Sequence, residues 1–134
     1  MKYFVGIHAD LRQEIDQLYD EARNIVEYYW QHGGGRVNYK VAHFPHCRKR
    51  GVAFEVSWKR RNFFQRSDGS WYILDKHLAL GKSGKLSRKQ LSQFNSRDKA
   101  LAIKTDRELF IIRQKLEKIR RVSKIIKAYE RQFK

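Results

Sequence analysis

A chain of 134 residues, 41% hydrophobic and 13% aromatic, can pack one domain over residues 1–134 but is short for a catalytic fold built around a large cofactor cleft. Its 30 Lys and Arg against 14 Asp and Glu give a formal net charge of +16, the footprint of a protein that meets a polyanion. No apolar run nears the roughly 18 residues of a membrane span, residues 1–15 lack the apolar stretch of a signal peptide, and the lone Cys47 excludes an internal disulfide framework; a cytoplasmic protein with no membrane partner is expected.

The first segment, residues 1–32, is acidic (net −3), and the remainder, 33–134, carries +19. Asp10 is a candidate N-cap, after which Leu11, Ile15, Leu18, Ala22, Ile25, Val26 and Tyr29 recur at spacings of three and four. That pattern predicts an amphipathic helix of about twenty residues, with acids early where they complement the helix dipole. His32 and the triplet Gly33-Gly34-Gly35 end it; without a preceding strand, or the Lys and Ser/Thr of a P-loop, the glycines read as a helix stop.

From Arg36 the period becomes two. Val37, Tyr39 and Val41 predict a first strand, and the stretch from Pro45 to Gly51 breaks it. Val52, Phe54, Val56 and Trp58 alternate with Ala53, Glu55, Ser57 and Lys59 as a second strand. Ser67-Asp68-Gly69-Ser70 is a hairpin turn, and Trp71 to Leu74 is the returning strand of a three-stranded antiparallel sheet over 36–78 with one face buried and one wet.

Ser87 and Ser96 are candidate N-caps, for a short helix near 88–94 and a long basic one from about 97 to 132. In the long helix Leu109, Ile112, Leu116, Ile119, Ser123, Ile126 and Phe133 form a seam too long for a three-stranded sheet to cover. The first helix, packed antiparallel, is one partner for it; a second copy of the chain is the other. Lys104, Arg107, Arg113, Lys115, Lys118, Arg120, Arg121, Lys124 and Lys127 are expected on its solvated face. The fold class is therefore α+β: N-terminal helix, three-stranded antiparallel sheet, short helix, long C-terminal helix.

Residues 36–66 hold nine basic groups (Arg36, Lys40, Arg48, Lys49, Arg50, Lys59, Arg60, Arg61, Arg66) and one acid, Glu55. Arg48-Lys49-Arg50 is expected in the connection between the first two strands, and Lys59-Arg60-Arg61 at the tip or end of the second. Asn62, Gln65 and the arginines offer the donors and acceptors that pair with base edges in a major groove, which a two-stranded ribbon can enter. Phe63 and Phe64 read as core at a strand end; the alternative is that they stack on exposed bases or wedge into a base step. Lys76, His77, Lys82, Lys85, Arg88 and Lys89 extend the basic surface, the last two in a first helical turn whose N–H groups favour phosphate. Since Phe54 and Trp58 share the core face, a stacking platform for single strands is disfavoured against double-stranded DNA. Phosphate contacts then come from the loops and base contacts from the ribbon.

His43, His46 and Cys47 lie close in sequence, but a closed zinc site needs a fourth ligand and no second cysteine exists. His43 and His46 are separated by two residues, not by the single spacer of a HUH endonuclease. Paired carboxylates occur only in the first helix, where Asp16 and Asp20 share an exposed face. A non-enzymatic protein without metal or cofactor is expected. An RNA-binding or ribosome-associated protein, or a small metal-dependent nuclease, is the alternative.

Three stretches, EIDQLYDEARNIVEYYW (14–30), VAFEVSWKRRNFFQRSDGSWYILDKHLALGK (52–82) and TDRELFIIRQKLEKIRR (105–121), in this order resemble the MobI-type auxiliary mobilisation proteins of conjugative plasmids and integrative conjugative elements. The resemblance covers about half the chain. It implies a sequence-specific DNA-binding factor that recognises the origin of transfer and helps recruit the relaxase. WKRRNFF and DKHLALGK would then be the DNA-contacting ribbon, and the long C-terminal helix would serve a partner or a homodimer.

Overall fold

The computed structural model describes residues 2–33 and 41–133. The order is α1 (Lys2–His32), β1 (Val41–Arg50), β2 (Ala53–Gln65), β3 (Trp71–Leu78), α2 (Arg88–Ser92) and α3 (Lys99–Arg131), with an antiparallel sheet in the order β1-β2-β3. This is the α+β architecture that the periodicities predict.

α1 begins two turns earlier than its capping signal, and Asp10 is an exposed residue of its interior. The cause is tertiary. Phe4 is buried with its ring 6.2 Å from those of both Tyr129 and Phe133, and the His8 imidazole meets the Glu130 carboxylate. Packing against the far end of α3 thus extends a helix whose local signals would start it later. α1 and α3 run antiparallel, so the first helix is the partner of the long seam. Leu18 and Ala22 pack with Leu109, Ile112, Leu116, Ile119, Phe54 and Val56 in one core cluster. At the other end Tyr29, Phe44, Trp58, Leu86, Phe94 and Ala102 form a second.

Gly33 closes α1 by donating its N–H to Tyr29 O (3.0 Å). A Cβ there would lie 2.8 Å from both Asp98 Oδ1 and Leu101 Cδ2, so any larger residue must displace those two side chains at the start of α3. Gly34, Gly35, Val37 and Tyr39 lie outside the described residues.

β1 does not break at Pro45. It continues to Arg50, with Pro45 opposite Trp58 in the ladder. An edge strand tolerates a residue that lacks an N–H, because one of its sides has no ladder to feed. Arg48-Lys49-Arg50 is consequently the end of a strand, and the connection shrinks to Gly51-Val52, with Gly51 at φ +60 as a tight hairpin of the II′ kind requires. β2 is likewise longer than its clean alternation, so Lys59-Arg60-Arg61 lies mid-strand. β3 runs on to Leu78 and takes in Lys76 and His77. At the β2–β3 turn Gly69 adopts φ +89, and the Asp68 carboxylate accepts from the Ser70 N–H (2.9 Å) and hydroxyl (2.6 Å).

The segment after β3 is tied down by one buried carboxylate. Asp106 Oδ1 accepts from the Trp58 indole N–H (3.0 Å), and Oδ2 from the Leu86 N–H (2.9 Å). Arg113 Nη2 lies 3.6 Å from Oδ1 and donates to Gly84 O at 2.7 Å. A buried carboxylate is tolerated when its lone pairs and charge are met in this way. Arg113 is therefore an internal pin and not part of the solvated face of α3. α2 opens with a reciprocal cap, Gln90 N–H to Ser87 Oγ (3.1 Å) and Ser87 N–H to Gln90 Oε1 (2.9 Å). α3 starts after Asp98 and not after Ser96. Among the described residues no helix is long and apolar enough to cross a membrane.

Candidate nucleic-acid interface

Strand alternation and the ladder register sort the predicted contact residues onto two faces. Phe54, Val56 and Trp58 fix the inner face of β2. Their neighbours in register are Lys49, Cys47 and Pro45 on β1, and Leu78 on β3. The outer face then carries Arg48, Arg50 and His46 from β1, Glu55, Lys59, Arg61, Phe63 and Gln65 from β2, and Trp71, Ile73, Asp75 and His77 from β3.

Two outer-face arginines are held by the sheet's own acids. Arg61 grips Asp75 through Nε (2.9 Å) and Nη2 (3.1 Å), which raises the arginine pKa and lowers that of the carboxyl. The same guanidinium lies 4.8 Å from the centre of the Phe44 ring, whose other neighbour is Trp30 at 5.0 Å. Arg50 pairs with Glu55. Burial, then Lys59 and Arg48, push the His46 pKa down, so that imidazole is a neutral group among cations.

Other predicted contacts point elsewhere. Lys49 turns to the inner face, its ammonium 4.9 Å from the centre of the Tyr19 ring on α1. Arg60 is half-buried on the inner face, in register with His43 and Lys76, and its Nε finds no hydrogen-bond partner among the described residues. Burial and this guanidinium lower the His43 pKa; the imidazole stacks on Phe94 at 4.6 Å. Asn62 also has inner-face register, opposite Leu74. Gln65 donates to Gly69 O at 3.3 Å, so one of the two candidate base readers is engaged within its own turn. Lys85 lies over the Phe110 ring at 4.5 Å. Lys82, Arg88 and Lys89 are exposed. The first turn of α2 offers less to phosphate than expected, since Ser87 Oγ already occupies the Gln90 N–H. Arg36 and Lys40 lie outside the described residues.

Sequence reading missed the outer half of the β2–β3 ribbon. Phe64 is exposed, Phe63 half-buried, and Trp71, Ile73 and Leu74 are all exposed, so Phe63 and Phe64 are not core. Phe64 stacks on Tyr72 across the ladder (5.3 Å, 22°), and the Arg66 guanidinium caps Tyr72 at 5.1 Å. The signal lies in the contiguous apolar run of residues 71–74, which strand alternation must split between two faces. Phe54 and Trp58 are core as expected, but they do not speak for the ribbon.

Among the described residues no ion pair joins an acid of α1 to a cation of the sheet. Glu14 and Glu21 line a groove with Lys115 and Lys118 of α3, and Glu27 pairs with Arg23 at 3.7 Å. His43 and Cys47 belong to one face of β1 and His46 to the other, so the three do not converge. Burial raises the Cys47 thiol to about 11, which leaves it protonated. In comparisons with known proteins, a family model described as MobI protein matches residues 18–127, most of the chain. No curated protein and no solved structure matches.

Proposed function

From the premise that the chain belongs to the MobI family, we propose that it is a non-enzymatic, sequence-specific double-stranded DNA-binding factor of conjugative mobilisation. In this reading it works in the cytoplasm, recognises the origin of transfer and helps recruit the relaxase. Family membership supports a mobilisation role. The observation that carries the DNA reading is electrostatic: Arg48, Lys59, Arg66, Lys76 and Lys82 all belong to the sheet or its connections, while Glu14 and Glu21 of α1 lie beside Lys115 and Lys118 of α3 and Glu27 pairs with Arg23. A surface of this kind releases counterions from a polyphosphate backbone and steers association.

Phosphate contacts are assigned to Arg48, Lys59, Arg66, Lys76, Lys82, Arg88 and Lys89, with Arg50 held by Glu55. The Arg61–Asp75 pair is a fixed, oriented group beside them. A second copy docking on the outer half of α3 is part of the proposal, supported by exposed Val122, Ile125 and Tyr129 at spacings of three and four.

Competition at near-physiological salt tests the reading: a labelled duplex is challenged with unlabelled duplex and with structured RNA, with and without EDTA. Displacement by duplex in preference to RNA, without strand nicking, is expected. Preferential displacement by RNA, or nicking that EDTA stops, would replace this reading by one of its two alternatives.

A further inference from the structure

The outer half of the β2–β3 ribbon is apolar on both faces, which a structural hairpin in water has no reason to be. Register puts Phe63, Ile73 and Trp71 on one side, and Leu74, Phe64 and Tyr72 on the other. Trp71 is 61% exposed, Ile73 50%, Leu74 49% and Phe64 40%. Among the described residues, β2 beyond Asn62 pairs with β3 alone. Exposed apolar surface of this density marks an interaction site.

Charge selects the occupant. Just inboard of the apolar tip, register sets Lys59 and Arg61 on one face and Arg60 and Lys76 on the other, with Arg66 at the turn. Of the ribbon's acids, Asp75 is paired with Arg61, and Asp68 at the turn stays charged, leaving Lys59, Arg60, Arg66 and Lys76 in excess. An apolar tip between cations on both faces fits a polyanion whose interior is apolar and stacked: a nucleic-acid duplex. One amide N–H of Gln65 is held by Gly69 O, and the exposed surface of the tip is mainly aromatic and aliphatic, which suits wedging into a base step better than reading base edges.

We propose that the ribbon enters the minor groove and that Trp71 wedges into a base step, bending the duplex. The inboard cations hold the phosphates on either side of the opened step. Specificity then comes largely from how easily a sequence unstacks and bends, with flexible pyrimidine–purine steps preferred. This rests on the duplex-DNA reading and adds a mode of contact to it.

The test uses the full chain and duplexes of about 30 base pairs carrying donor and acceptor dyes at their ends, with and without a central TA step. Energy transfer should rise on binding, more for the TA duplex. Tryptophan emission should fall, because Trp71 is exposed while Trp58 is fully buried and Trp30 is half-buried against Phe44; Trp71→Ala should remove that fall. Trp71→Ala should keep the fold by circular dichroism, lose the bend and bind about tenfold more weakly, the effect of removing one aromatic–base stack. Trp71→Phe should restore the bend. A wild-type complex with bound but unbent DNA overturns the wedge and leaves the DNA reading standing. So does a Trp71→Ala protein that bends like wild type, or one that alters self-association of the free protein, since the tip would then meet a second copy. Absence of any duplex binding overturns both.

Discussion

Lys59, Arg60 and Arg61 show how three adjacent cations come to have three different environments. Alternation sends the first and third outward and the second inward, and only Arg61 finds an acid, Asp75, in register. Arg60 instead lies beside His43, whose neutral form is favoured by burial and by that guanidinium. The consequence is a pH dependence with a definite sign. A histidine whose pKa is depressed on folding favours the folded state above its unfolded value of about 6.5 and loses that contribution as pH falls below it. Denaturant unfolding between pH 7.5 and about 5 should therefore show stability dropping on the acid side. His43→Phe, which can keep the stack on Phe94, should flatten part of that drop, with His46 accounting for a remainder because its pKa is lowered too. An unchanged slope in His43→Phe would mean that the imidazole is free to charge in the folded protein.

At the scale of elements, the C-terminal end of α1 closely approaches the start of α3. Gly33→Ala places a methyl group 2.8 Å from Asp98 Oδ1 and Leu101 Cδ2. The expected cost is about 1–3 kcal/mol of unfolding free energy, as for other overpacked sites. A urea midpoint equal to wild type would contradict the close approach. Glycine here is legible as a helix stop but not as a contact, because the neighbour lies far along the chain. The same distinction separates what can be read from what cannot. The alternation of residues 52–58 and the three-four spacing of 109–119 reveal a strand and a helix, since period alone reports which side is buried. Local signals misplace the start of α1 at Asp10 because Phe4 and His8 are held by Tyr129, Phe133 and Glu130, contacts that leave no mark nearby in the sequence. Pro45 reads as a break because its edge-strand position belongs to sheet order. The cationic runs at 48–50 and 59–61 read as loops because three like charges in a row hide a period of two.

Across the whole molecule, the acidic first helix packs against the basic last one: α1 lies along α3, with Glu14 and Glu21 near Lys115 and Lys118, while Arg48, Arg66 and Lys76 of the sheet and its turn are exposed. The predicted DNA-contacting residues are thereby divided. Arg48, Lys59 and Lys76 remain available, Arg61 and Arg50 are paired, and Lys49, Arg66 and Lys85 lie over aromatic rings, Arg66 on the exposed tip itself. Aromatic exposure at the ribbon tip is not legible, because a run of apolar residues ordinarily means burial. The most direct test of the central claim is the dependence of duplex affinity on salt, measured for wild type and for Lys59→Ala/Arg66→Ala/Lys76→Ala. Wild type should lose affinity steeply as salt rises. The triple variant should bind more weakly with a shallower logarithmic slope, by about 0.9 for each phosphate that it no longer neutralises. Identical affinity and slope in the two proteins would contradict it.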